Sequence, residues 1–382
     1  MQFVRSEELR PGMRLAKPIY NKNGVLLYER GSRLTIPGIN SVRNFGLIGI
    51  YILEPAEPIP PFTREDLEYE QAQTIYLFRL RDTYEKIHKQ ASMDNFVGLI
   101  DDVVKRYGTL KHRVNFNQNL RSPDDFMYKH AISTAIVTAM ISNHIKMTES
   151  DQKALIAAAF LFDFGYRYVP RPIMEKGTSL TEADRNTIQL ALEKGMNFLR
   201  MYHADIPFLP KALSIAEYYI LSKNPERAIK NPSENILLLG EILKVAEAFD
   251  FLTGMNIGYE PASEISAMRK LQEQSDTYDR TLVSILAQCI HIIPAGASVD
   301  LSTGDKGIVL VENTHNYMQP VILRFSDNNI YDLSDSTISK RIQIIDLMKT
   351  MDNRIEVDED TLKQFVADER LIELTKKFKR QL

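Results

Sequence analysis

The side chains of this chain that could do chemistry are few, and they sit on segments with helical patterning. His130 and His144 fall on one predicted helix, residues 126–146. At ~100° per residue they lie within about 40° of one face. At ~1.5 Å per residue they are about 21 Å apart along the axis, so they cannot share a ligand. His130 is a metal-ligand candidate and equally a hydrogen-bonded core residue, because its helix is apolar on both sides. Glu247 and Asp250, in EILKVAEAFDFLTG, are spaced i,i+3 and share a helix face. Such a pair can hold a divalent cation with waters. It can also be a solvated polar stripe beside Leu243, Ala246 and Phe249, which is the commoner use of helix carboxylates. Asp163 closes the apolar run in AAAFLFDFGYRYVP. A carboxylate at a helix C-terminus opposes the macrodipole and so points to a partner. A local bond to the turn at Gly165 or to Arg167 is the commoner fate.

The elements that must position these groups are well signalled. Thr63 and Asp66 form a capping pair that opens a helix reaching the Gln90 region, and a second helix is expected over about 94–107. Helix starts follow at Thr148, at Thr181 and at Pro232-Ser233, the last with Gly254 as its stop. Before this helical stretch, Asn21-Lys22-Asn23-Gly24 lies between apolar runs and predicts a β-hairpin. Residues 298–301, 307–311 and 321–325 read as strands after it.

The predicted organisation is a β-rich module over 1–54 and a proline-rich extended linker over 55–62. Connecting helices occupy 63–122, a helical domain 123–293, a β extension 294–335 and a charged helical tail 336–382. The fold class is therefore mainly α, a helical bundle core with small β-rich parts at both ends.

Composition narrows the function classes. The 382 residues are 44% hydrophobic and 25% charged with a net charge of −3, so no global basic field favours nucleic acid. No apolar run approaches the ~20 residues of a membrane span. The first residues carry no apolar h-region, so a secretory signal is not expected and a cytoplasmic location is. The single cysteine, Cys289, excludes an internal disulfide and a multi-cysteine zinc site, and reads as a small core residue.

The segment 157–170 resembles the central helix of the HD-GYP family, metal-dependent phosphodiesterases that cleave cyclic di-GMP. The family has His-Asp where this chain has Phe162-Asp163, and Gly-Lys where it has Gly165-Tyr166. The resemblance extends to the Leu-x-x-Gly-Met and Asn-Gly pattern of residues 3–54, to the helices of 123–260 and to the β extension from 294. It implies an HD-domain-like helical bundle. By resemblance, His130 stands at the first metal histidine, Asp163 at the bridging aspartate and Glu247 at an aspartate ligand, with Asp250 beside it.

The same alignment of motifs puts Phe162 and Ala191 on ligand positions, and neither side chain can coordinate a metal. The family's HHE motif falls on residues 212–225, which hold no histidine. Glu217 is its one acidic match, and the Gly-Tyr-Pro loop is replaced by residues 222–226. Arg167 is the candidate for a ligand phosphate, with a surface ion pair as its ordinary role.

The expected function is a catalytically degenerate HD-GYP-like signalling protein. It would bind a partner protein or cyclic di-GMP, with no resident cofactor, and a homodimer is a candidate assembly. One alternative is an active phosphodiesterase with a reduced Fe or Mn site on His130, Asp163 and Glu247. Another is a scaffold that binds through its β ends.

Overall fold

The computed structural model describes residues 2–44, 49–53, 61–116, 121–202, 205–224, 226–255, 261–348 and 354–355. The proposed linker, apart from Pro61 and Phe62, and the charged tail 358–382 lie outside the described residues. The chain divides into two compact units. One comprises residues 1–71, 263–266 and 291–382, and the other 72–262 and 267–290.

The first unit opens with β1 (Gln2–Arg5), β2 (Arg14–Leu15), β3 (Ile19–Tyr20), β4 (Leu26–Tyr28), α1 (Ile36–Asn44) and β5 (Gly49–Leu53). β1, β5 and β2 form an antiparallel sheet in that order, and β3 pairs with β4. The hairpin forms where Asn-Gly predicts it. Gly24 has φ +77°, and Asn21 accepts from the backbone N–H groups of Asn23 and Val25. Leu15, Ile19, Leu34, Val42 and Ile52 make the core of this part.

The boundary between the units falls within α2 (Arg64–His88). Its start carries the predicted reciprocal cap. Thr63 N–H donates to Asp66 at 2.7 Å and Asp66 N–H to the Thr63 hydroxyl at 3.1 Å.

The second unit is helical: α3 (Asp94–Arg106), α4 (Phe126–Ser142), α5 (Glu149–Leu161), the short α6 (Arg171–Met174), α7 (Glu182–Met201), α8 (Leu209–Ser222), α9 (Glu234–Thr253), α10 (Glu264–Glu273) and α11 (Arg280–Cys289). α10 begins within the stretch assigned to the other unit. α4 is buried on every side, as expected of a helix apolar all round. α5 is capped by Thr148, whose hydroxyl accepts from Asp151 N–H, and α7 by the Thr181–Asp184 box.

After Leu161 the chain tightens into a 3-10 helix, Phe162–Tyr168. It ends at extended Val169 because the following Pro170 disfavours helix for the residue before it. This segment lies directly on α7. A Cβ at Gly195 would stand 2.6 Å from the backbone nitrogen of Gly165, and one at Gly165 would stand 2.9 Å from the carbonyl carbon of Ala191. Only glycine at both positions allows that approach. Cys289 is buried, as expected, and burial pushes its thiol up to about 12.

The first unit resumes with β6 (Ser298–Leu301), β7 (Lys306–Val311), β8 (Val321–Arg324), β9 (Asn329–Asp332), α12 (Ser336–Ser339) and β10 (Ile344–Leu347). The sheet is antiparallel throughout, in the order β10-β6-β7-β8-β9. The helical tail expected from residue 336 is corrected here: α12 spans four residues and Ile344–Leu347 is an edge strand paired with β6. β10 carries isoleucines that fill a sheet position as well as a helix face, and its partner β6 lies more than forty residues upstream. Arg354 closes this part, reaching Asp66 at 3.2 Å with both side chains buried.

Candidate functional site

The predicted site residues meet inside the helical unit. α4 presents His130, the 3-10 segment presents Asp163, and α9 presents Glu247 and Asp250 one turn apart. His130 Nδ1 and Asp163 Oδ2 share a hydrogen bond of 2.6 Å, with both side chains 1% exposed. A carboxylate only accepts, so Nδ1 donates. The other ring nitrogen, Nε2, lies 3.5 Å from Asp250 Oδ2 and 3.9 Å from Glu247 Oε1. Asp163 thus takes a long-range partner rather than the local bond to the turn at Gly165 or to Arg167 that is the commoner fate. Asp250, fully buried, is not part of a solvated stripe.

Each carboxylate also faces a cation. Arg121 Nη2 stands 2.6 Å from Asp250 Oδ1, with side-chain exposures of 1% and 0%. Lys223, just past the end of α8, lies 3.3 Å from Glu247 Oε1 and over the Tyr219 ring. Burial disfavours the imidazolium of His130, but Asp163 and Asp250 outweigh it and hold its pKa above the ordinary value. Burial likewise pushes Glu247 up, but Lys223 and His130 outweigh that and leave it below the usual carboxylate range.

Aromatic side chains enclose the cluster. Phe126 stacks on His130 at 5.0 Å, and Phe162 meets the His130 and Tyr219 rings edge-on, each at 5.4 Å. Phe162 is buried among rings, and Ala191 is buried with its backbone against Gly165. Tyr166 packs edge-on against Phe126.

Two residues fall outside the cluster. Arg167 is turned to α2, donating to the Tyr84 carbonyl at 3.3 Å, 3.8 Å from Glu85 and over the Phe164 ring. Glu217 is paired with Arg200. Arg200 also lines an open depression of about 690 Å³ with Tyr202, Leu209 and Leu213.

Residues 116–282 match the family described as the HD domain. Over those residues the helical unit is similar to an HD domain. The chain is HD-GYP-like, with the mainly α fold expected of that family. A cyclic di-GMP phosphodiesterase of Pseudomonas aeruginosa is 21% identical over 212 residues, 54% of this chain and 49% of the relative. The chain spans about half the length of that curated relative.

The donors of this site are engaged on one side with other side chains of the chain. His130 Nδ1 is bonded to Asp163 Oδ2, Asp250 is paired with Arg121 and Glu247 with Lys223, while His130 Nε2 and Asp163 Oδ1 have no hydrogen-bond partner among the described residues. Among the described residues, no three His, Cys, Asp or Glu side chains are arranged to hold a metal ion. No helix among the described residues is long and apolar enough to cross a membrane.

Sequence reasoning missed Arg121 and the pairing of Lys223. Arg121 stands at an isolated β-bridge position before the Ser122–Asp125 turn, where Ser122 N–H donates to Asp125 at 2.7 Å. No periodicity marks such a residue. The burial of Asp250 had a signal: the second half of α9 is apolar on nearly every face, so a carboxylate there has no solvated side to occupy.

Proposed function

We propose that this chain is a non-catalytic HD-GYP-like protein of cyclic di-GMP-type signalling. It works in the cytoplasm by binding a partner protein or the cyclic dinucleotide rather than by hydrolysis. One observation carries this reading: every carboxylate at the cluster is matched to a side-chain cation of the same chain, while Phe162 and Ala191 fill ligand positions with apolar groups. Metal-assisted phosphodiester cleavage needs several open donors converging on the ion, to activate water and take up developing charge. The relative's activity supports the choice of ligand class.

The test is to incubate the purified protein with cyclic di-GMP and Mn²⁺ or Fe²⁺ under anaerobic conditions and to follow linear dinucleotide by chromatography. Calorimetry with the same nucleotide runs in parallel. The expected result is no turnover. Turnover that disappears in both His130→Ala and Asp163→Ala would overturn the proposal. It would favour instead a reduced metal site on His130, Asp163 and Glu247. One feature speaks for that second reading: His130 Nε2 and Asp163 Oδ1 are buried without a hydrogen-bond partner among the described residues.

A further inference from the structure

Arg121 is held from both ends at the C-terminal end of α9. Its backbone N–H donates to the Met255 carbonyl at 2.7 Å. Its guanidinium lies 2.6 Å from Asp250 and is almost fully buried. Gly254 makes the space for it: a Cβ there would stand 2.6 Å from Nη1 and 3.0 Å from Cζ. The C-terminal end of a helix is also the negative end of its dipole, which favours a cation at that place. Asp250 in turn stands between Arg121 and His130, 2.6 Å from one and 3.5 Å from the other.

We propose that Arg121 is the permanent cation of this site. It supplies against Asp250 the positive charge that a divalent ion would otherwise supply, and it makes the acidic cluster self-neutralising. The helical unit therefore folds and keeps the cluster's geometry without metal. This inference shares with the proposed function the premise that no metal is needed, so its test separates the two.

The full chain is melted by circular dichroism in excess EDTA and in millimolar Mn²⁺, as wild type, Arg121→Met, Asp250→Asn and the double variant. Wild type is expected to melt at the same temperature in both solutions. Each single variant removes one member of the buried Arg121–Asp250 pair and melts lower. The double variant recovers more than half of the summed loss, because the two charges of the pair are removed together. Arg121→Met is further expected to gain an Mn²⁺-dependent rise in melting temperature that wild type lacks.

A wild-type protein stabilised by Mn²⁺ or destabilised by EDTA overturns both this inference and the metal-free premise of the proposed function. A double variant no better than the sum of the singles overturns the role of Arg121 alone. Should the single variants fail to fold, a folded double variant meets the expectation. Should the double variant also fail, its failure counts against the pairing.

Discussion

Replacing Asp163 by Asn tests the charge state of the cluster. The substitution keeps the shape of the side chain and removes its charge. The His130–Asp163 bond is 2.6 Å long with both side chains 1% exposed, so it is charge-assisted and out of water. A bond to a charged group is worth about 1.5–3 kcal/mol and a neutral one about 0.5–1.5, so the exchange loses roughly 1–2 kcal/mol. The new amide also places a donor where Asp163 Oδ1 has no hydrogen-bond partner among the described residues. An unsatisfied buried donor adds at least about 1 kcal/mol. The expected loss is about 2–3 kcal/mol at pH 6, or roughly 4–12 °C in melting temperature for a unit of this size.

The pH dependence carries the sharper test. Burial lowers the His130 pKa, but Asp163 and then Asp250 raise it above its ordinary 6.5. Stability from a raised histidine pKa is fully present below the unfolded value and is lost as pH rises through the folded one. A tenfold gain in proton affinity on folding is worth about 1.4 kcal/mol. Asp163→Asn removes the main support of the imidazolium. The gap between wild type and variant is therefore expected to be widest near pH 6 and to shrink as pH rises toward 9. Urea denaturation at several pH values measures it. A gap that is constant with pH would show that His130 carries no extra proton in the folded state, and the cluster would not hold the charges assigned to it.

Other perturbations follow from the same contacts. Gly195→Ala drives a methyl into the backbone of Gly165 and should cost about 2–3 kcal/mol in thermal melts; a neutral outcome would refute the close approach of α7 and the 3-10 segment. Phe162→Ala removes a fully enclosed ring and should cost about 3–5 kcal/mol, with Phe162→Leu far milder. Arg354→Ala leaves Asp66 buried without its cation and should lower stability by about 3 kcal/mol, read by denaturant titration. Glu217→Gln, at a partly exposed pair with Arg200, should change stability by less than about 1 kcal/mol.

What the sequence made legible was local. The caps at Thr63, Thr148, Thr181 and Ser233 are read from residues three apart, and each forms as expected. The convergence of His130, Asp163 and Glu247 was legible only through resemblance, since the three lie on separate elements. Arg121 was not legible at all. It meets Asp250 across 129 residues of chain, from outside any helix or extended strand, with no periodic neighbour to announce it. β10 was hidden for a related reason: pairing with a strand more than forty residues away decides between helix and strand where local pattern does not.

A buried carboxylate without a counter-charge costs several kcal/mol, comparable to a large share of a domain's whole stability. A chain with apolar groups at metal-ligand positions can therefore keep its acids only if it covers them with its own cations. The helical unit covers its acids in this way. Phe162 packs its ring against Tyr219 and His130, while Arg121, His130 and Lys223 stand one each against Asp250, Asp163 and Glu247. Such matching makes the acids interdependent with their cations rather than with an ion from solution. Neutralising one carboxylate should then be tolerated best when its own cation is neutralised with it. Pairing the wrong two, such as Asp250→Asn with Lys223→Met, should be no better than the sum of the single losses.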